Sequence, residues 1–273
     1  LLSLRPVTLR VTDKATGAGL PARITLVDAS APDGPAADIY YAATETQAAR
    51  TNMLYTSQGD ATFEVPPGQY DVYVTRGAEW SLGKVRIMVE PGMPTVELAL
   101  ERVVDTSGFV AADTHIHTLT NSGHGDSSLE ERIITLAGEG VELAIATDHN
   151  HNTDYTPFQE AAGLQKYYTP VVGNEVTTPI GHLNGFPLDP EDEVPPYERH
   201  DIVRIVDGIR ERGAEVVVLE AAARAGGAIG SEADDGWVVE QGAGSVRGAH
   251  PSVHRLLLAL GLRDRVMPAS PGH

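Results

Sequence analysis

The apolar pattern changes character near residue 104, and that change limits the chain to two kinds of layer. Before it, Val7, Leu9 and Val11 alternate with polar residues, and segments 24–26, 62–65, 70–74, 85–87 and 96–98 repeat the alternation. A period of two puts one face of each strand into a core. The turn residues Asp13 to Gly17, Pro66-Pro67-Gly68 and Pro91-Gly92 separate these strands. About seven short strands so punctuated predict a β-sandwich over residues 1–104. After a linker at 102–107, apolar runs at 109–112, 141–147, 168–173 and 216–219 alternate with amphipathic stretches. That order predicts an α/β arrangement with a parallel sheet or barrel. Ser128-Leu-Glu-Glu131 forms a capping box and opens one helix. Thr156-Pro157 opens a second, and Ile202, Val203, Ile205, Val206 and Ile209 line a third that ends near Gly213.

The chain has 273 residues, enough for about two domains with sizeable cores. Its formal net charge is −18, from 38 acidic and 20 basic residues. Phosphate backbones and anionic lipid repel such a chain, so neither nucleic acid nor membrane is an expected partner. A small-molecule substrate is expected, and the oligomeric state is open. There are no cysteines, which excludes disulfides and thiolate metal sites and leaves the compartment undetermined by redox chemistry. No apolar run reaches the ~18 residues of a membrane span. The first residue is Leu1, so a missing N-terminal piece such as a signal peptide is expected, with an extracytoplasmic location if so.

The chemistry lies in the α/β part. Asp113-Thr-His115-Ile-His117 follows the apolar run at 109–112, where alternate residues of an extended segment aim two imidazoles the same way. The next run ends in Asp148-His149-Asn150-His151, the third in Asn174-Glu175, and a further short segment begins Gly181-His182. Four successive strand ends thus deliver His or carboxylate, the placement by which α/β barrels assemble sites. Imidazole and carboxylate without thiolate suit Zn²⁺, Mn²⁺ or Fe²⁺. Asp113, His151, Asp154 and His200 read as turn, loop or capping residues, and Trp80 as core or rim.

The motifs Asp113-x-His115-x-His117-Thr118, Thr147-Asp148-His149, Gly173-Asn-Glu175 and Gly181-His182 resemble those of the PHP family (polymerase and histidinol phosphatase domains). The resemblance is to its carbaryl-hydrolase-like subgroup and covers about residues 1–219. It implies that a small β domain precedes an α/β barrel of the PHP type. It also implies that His115 and His117 hold a first metal, Glu175 bridges two metals, and His149 and His182 are further ligands. A ligand from the loop after the His-x-His is implied too, with His124 ranked ahead of Asp126. Asp148 reads as a residue that orients a histidine or acts as acid or base, the first ranked ahead. Two or three divalent ions are implied for an intact member, and fewer here. The stretches TDKATGAGLPARITL and FEVPPGQYDVYV resemble carboxypeptidase-regulatory-like, transthyretin-like domains.

Past Leu219 the pattern departs from that family, whose later Asn-His-Pro and Asp-x-His segments are absent. Residues 212–271 instead resemble the flavin-dependent protoporphyrinogen oxidases, with Glu220, Arg224, Gly226 and Gly227 at matching positions. The phosphate-binding Gly-x-Gly-x-x-Gly of such enzymes is missing upstream, so FAD binding is not expected. The expected organisation is a sandwich at 1–104, an incomplete α/β barrel at 105–219 and a foreign-looking, poorly packed tail at 220–273. Glu220, His250 and His254 are the tail residues that could fill vacant metal positions.

The expected function is a metal-dependent hydrolase in which metal-bound hydroxide attacks an ester, carbamate, amide or phosphoester bond. The rival expectations are a metal-binding or interaction module without turnover, favoured by the missing late ligands, and, more remotely, a flavin oxidase fragment.

Overall fold

The computed structural model describes residues 3–32, 39, 44–220, 230–234 and 237–241. The chain is mostly β, with several sheets and few helices. Strands β1 (Arg5–Asp13), β2 (Ala22–Asp28), β3 (Gln47–Arg50), β4 (Met53–Thr56), β5 (Asp60–Val65), β6 (Gly68–Thr75), β7 (Gly83–Val89) and β8 (Val96–Leu100) form two sheets, ordered β5-β1-β8 and β3-β4-β2-β6-β7. Their alternate residues meet in one core. Val7, Leu9, Val11, Phe63 and Leu100 come from the first sheet, and Ile24, Leu26, Leu54, Val72 and Val74 from the second. This is the β-sandwich that the alternation predicts. The sequence pattern misses β3 and β4, because Gln47-Ala-Ala-Arg50 and Met53-Leu-Tyr-Thr56 carry no clear period of two.

The same compact unit continues into α1 (Leu119–Ser122) and α2 (Leu129–Gly138). Helix α2 starts at the expected capping box: Ser128 accepts from Glu131 N–H, and the Glu131 carboxylate accepts from Ser128 N–H. Polar links join α2 to the sandwich. Arg50 makes a two-pronged bond to Glu131 at 2.9 and 2.7 Å, and Arg23 and Tyr55 both donate to Glu139 Oε1 at 2.8 Å. Arg76 donates to the Pro21 and Ala137 carbonyls while lying over the rings of Trp80 and Tyr167. Ser128→Ala removes one side of the box and is expected to cost about 1 kcal/mol in chemical denaturation; a cost below ~0.3 kcal/mol would show that the cap adds little beside these anchors.

Strands β9 (Ala112–Ile116), β10 (Leu143–Ala146) and β11 (Thr169–Val172) make a third sheet in the order β11-β10-β9, with helix α3 (Thr156–Ala161) between β10 and β11 in the chain. Leu143 N–H donates to Ala111 O and Thr147 N–H to Ile116 O, so β9 and β10 run parallel. A fourth sheet, β12 (Asn174–Thr178), β13 (Gly181–Phe186) and β14 (Val216–Glu220), is antiparallel. Helix α4 (Ile202–Arg210) buries Ile205, Val206 and Ile209 with Val176 and Leu183 of that sheet. The packing there is close: a Cβ on Gly185 would stand 2.4 Å from Ile209 Cγ2. Strands β15 (Gly230–Asp234) and β16 (Trp237–Gln241) pair as an antiparallel hairpin.

Two compact units interleave along the chain. One comprises Leu1–Thr114, Thr118–Ile145 and Tyr155–Pro170; the other comprises His115–His117, Ala146–Asp154 and Val171–His273.

Several expectations are corrected. Strand β9 begins at Ala112, and Phe109 and Val110 are exposed, so the run at 109–112 is not a buried strand. The expected α/β barrel of the PHP type is not formed by β9–β14, because β12–β14 is antiparallel and a barrel of that class needs parallel strands joined by helical crossovers. The cap of α4 is Asp201, which accepts from Val203 and Arg204 N–H, rather than the exposed His200. Thr156 lies inside α3, whose N-cap is Tyr155. Most of the tail at 220–273, with Arg224, Gly226, Gly227, His250 and His254, lies outside the described residues.

Candidate metal centre

Five of the residues singled out in the sequence converge within the second unit. His115 lies in β9 and His117 just past its end; His149 follows β10; Glu175 lies in β12 and His182 in β13. Strand geometry explains the convergence. His115 and His117 are two apart and extended, so they share a direction. Glu175 is opposite Asn184 and His182 is opposite Thr177 in the antiparallel register, so all four side chains occupy one face of the β12–β13 ladder. Val176 and Leu183 take the other face, into the α4 core.

Glu175 is the hub, 2% exposed. Its Oε1 lies 3.5 Å from His115 Nε2 and 2.7 Å from His182 Nδ1. Its Oε2 lies 3.1 Å from His117 Nε2 and 2.8 Å from His149 Nδ1. His115 Nε2 and His117 Nε2 are 3.0 Å apart. Burial alone would raise the Glu175 carboxyl, but the imidazoles of His115, His117 and His182, with the nearby His149, outweigh it and hold the group well below the ordinary carboxylate range. Within this unit two overlapping triads result, His115–His117–Glu175 and His149–Glu175–His182, with the donor atoms of each within 4.8 Å of one another.

These separations fit a divalent cation. Donors about 2.0–2.1 Å from one ion lie about 2.9–3.4 Å apart, depending on whether the geometry is octahedral or tetrahedral. The four N–O distances and the N–N distance, 2.7 to 3.5 Å, bracket that span. Moreover, Oε2 of Glu175 is buried and makes no properly directed hydrogen bond despite two imidazole nitrogens nearby. Close, poorly aligned donors are what lone pairs converging on a common point produce.

The surrounding shell was not legible in the motifs. Asn150 adopts the left-handed region (φ 50°), which Asn tolerates better than most residues. There its N–H donates to Glu175 O at 3.0 Å, and its Oδ1 accepts from Thr177 N–H at 2.9 Å. Glu175 N–H in turn donates to Asp148 O at 3.1 Å, so the loop 148–150 lies along the edge of β12. Thr177 Oγ1 is 2.6 Å from His149 Nδ1 and donates to Glu175 O, which fixes that ring against β12. Asp148 is fully buried, and its Oδ2 accepts from Thr153 Oγ1 at 2.8 Å, with His151 Nδ1 2.9 Å from the same hydroxyl. Asn150 and Thr177 meet 27 residues apart, which no linear spacing signals, so they could be found only from the register.

The two loop candidates belong to the first unit. His124 is exposed, and the Asp126 carboxylate pairs with Arg50 at 3.3 Å. Asp113 is exposed within β9, in a strand rather than a turn, and His151 is exposed in the loop after β10.

Comparison with family models matches the flavin containing amine oxidoreductase family over residues 209–272, the segment in which the sequence resembles protoporphyrinogen oxidases. The match covers well under half of the chain. It is not to the PHP family, and the assignment of residues 1–219 to that family is overturned. The physical reason is that His-x-His and strand-end Asp-His spacings follow from strand geometry and recur wherever a β edge holds imidazoles, so they do not identify a lineage. Among solved structures, the group B streptococcus pilus 2b backbone protein is 14% identical, covering 36% of this chain and 41% of its own, with a TM-score of 0.27. BcpA, the major pilin subunit of Bacillus cereus, is 16% identical, covering 37% and 30%, with a TM-score of 0.26. The chain thus spans less than half of either protein, and likeness at that level does not extend to function.

Proposed function

We propose that His115, His117, His149, Glu175 and His182 hold one or two divalent cations, Zn²⁺, Mn²⁺ or Fe²⁺, and that the chain is a metal-dependent hydrolase. The observation that carries this reading is the sharing of both Glu175 oxygens among four imidazoles at 2.7 to 3.5 Å. Glu175 would bridge, with one pair of histidines on each side. A cation bound there supplies Lewis-acid polarisation and water activation, which suits ester, carbamate, amide and phosphoester bonds. Thr177 and Asn150 orient His149 and Glu175, and Asp148, held by Thr153, orients the loop that carries His149. The sandwich at 1–104 is read as a carboxypeptidase-regulatory-like module, 105–219 as the metal-holding part and 220–273 as a foreign-looking tail. No helix among the described residues is long and apolar enough to cross a membrane.

The full chain, stripped with chelator and reconstituted with Mn²⁺ or Zn²⁺, is expected to take up at least one equivalent and to release protons, because the metal competes with protons for imidazole nitrogen. Hydrolysis of aryl esters, aryl carbamates and phosphomonoesters should then appear and vanish again with chelator. Uptake below about one equivalent would refute the metal reading; uptake without turnover on any of these bonds would leave a metal-binding module and refute the hydrolase.

A further inference from the structure

Asn184 is 2% exposed, and its Oδ1 is buried with no hydrogen-bond partner. A buried acceptor left unpaired is costly and uncommon in folded proteins. Its place in the fold suggests what satisfies it. Asn184 stands directly opposite Glu175 in the β12–β13 register, on the face that also carries His182 two residues earlier. Side chains so paired have their Cβ atoms about 4.5–5.5 Å apart. Asn174, whose Oδ1 is also unpaired, differs in both respects: it lies on the opposite face, and its amide nitrogen donates to Asn152 Oδ1 at 2.9 Å.

Resting on the metal reading above, we propose that Asn184 supplies a neutral oxygen donor to the cation held by Glu175 and His182 and thereby tilts the site towards Mn²⁺ over Zn²⁺. The chemistry follows from the donor set. Imidazole alone suits zinc, whereas added carboxylate and carbonyl oxygens favour the harder manganese ion. An amide oxygen also adds no charge beside the buried Glu175 carboxylate, where a second carboxylate would repel it in the metal-free protein.

The test titrates Mn²⁺ and Zn²⁺ into the metal-free full chain by calorimetry and follows thermal unfolding of the same metal-free proteins. Asn184→Leu keeps the branched heavy-atom skeleton, in a somewhat larger side chain, and removes the unpaired acceptor. It is expected to weaken Mn²⁺ binding by about 10–100-fold and Zn²⁺ binding by less, while raising the metal-free Tm by a few degrees. Asn184→Asp adds a charged oxygen at the same place and is expected to tighten Mn²⁺ binding at least about tenfold, with a lower metal-free Tm. If the amide instead donates its N–H₂ to Glu175, Asn184→Leu lowers the metal-free Tm and leaves the Mn²⁺/Zn²⁺ ratio unchanged, which overturns the proposal. Should Asn184→Leu not fold, Asn184→Asp decides alone: unchanged or weaker Mn²⁺ binding overturns it. A wild-type protein that takes up neither ion sinks the metal reading itself, whereas wild-type binding with both variants unaltered sinks only the part given to Asn184.

Discussion

Glu175→Gln is expected to weaken Mn²⁺ and Zn²⁺ binding by at least about 100-fold and to remove any metal-dependent hydrolysis. Gln matches Glu in shape, so the β12–β13 register should survive. What disappears is the negative charge that lies 2.7 to 3.5 Å from the four imidazoles, and half of its replacement is an N–H₂ donor turned towards nitrogens or a cation. Losing a charged ligand from a buried site also leaves the remaining charges uncompensated, the costly half of breaking such a pair. The substitution has a second signature in the metal-free protein. The Glu175 carboxyl is depressed in the folded state, so its stabilising contribution is present above the unfolded value near 4.5 and is lost as pH falls below it. The wild-type advantage over Glu175→Gln in chemical denaturation should therefore be larger at pH 7 than at pH 3. An equal difference at both pH values would mean that the carboxylate is not held by the histidines, and metal affinity within tenfold of wild type would remove it from the ligand set.

Leu183→Ala addresses the support beneath the site. Leu183 is completely buried between His182 and Asn184 in β13, and it packs with Val176, Ile205 and Ile209. Truncation deletes buried methyl groups and leaves a cavity that α4 fills only in part, at an expected cost of about 2–5 kcal/mol in urea denaturation of the metal-free protein. Mn²⁺ at a hundred times its dissociation constant should return about 2.7 kcal/mol to any variant that still binds it. A cost under about 1 kcal/mol would show that α4 does not bear on β13 as described. A large cost with no recovery on adding metal would mean that the cup itself has come apart.

Much of this arrangement could be read from the letters, and the rest could not for definable reasons. Alternation located β1, β2 and β5–β8, because each buries one face against a shared core. It failed for β3 and β4, where Ala48 is buried against Tyr55 and Ile134 by α2 rather than by strand alternation. The Ser128–Glu131 box and the apolar stripe of α4 were legible because they are local. Phe109 and Val110 look like strand residues by composition, yet pairing with β10 begins only at Ala111, and nothing local announces that register. The histidines and Glu175 were legible as ligand types at strand ends. Their supports, Asn150 and Thr177, act on each other across 27 residues, which a linear motif does not encode. The family assignment failed although the five side chains do converge: spacing reports which way side chains point, and ancestry needs more of the chain than that.

Strand β12 lies at one edge of its sheet, and such a strand ordinarily offers a bare row of N–H and C=O groups to any passing chain. Here Asp148 O, Asn150 N–H and the Asn150 amide occupy that row from Glu175 to Thr177. The loop that presents His149 therefore also acts as a plug against self-association. Substituting Asn150 with a residue that cannot mimic a backbone partner would expose the row, and concentrated protein would then be prone to join edge to edge into insoluble assemblies.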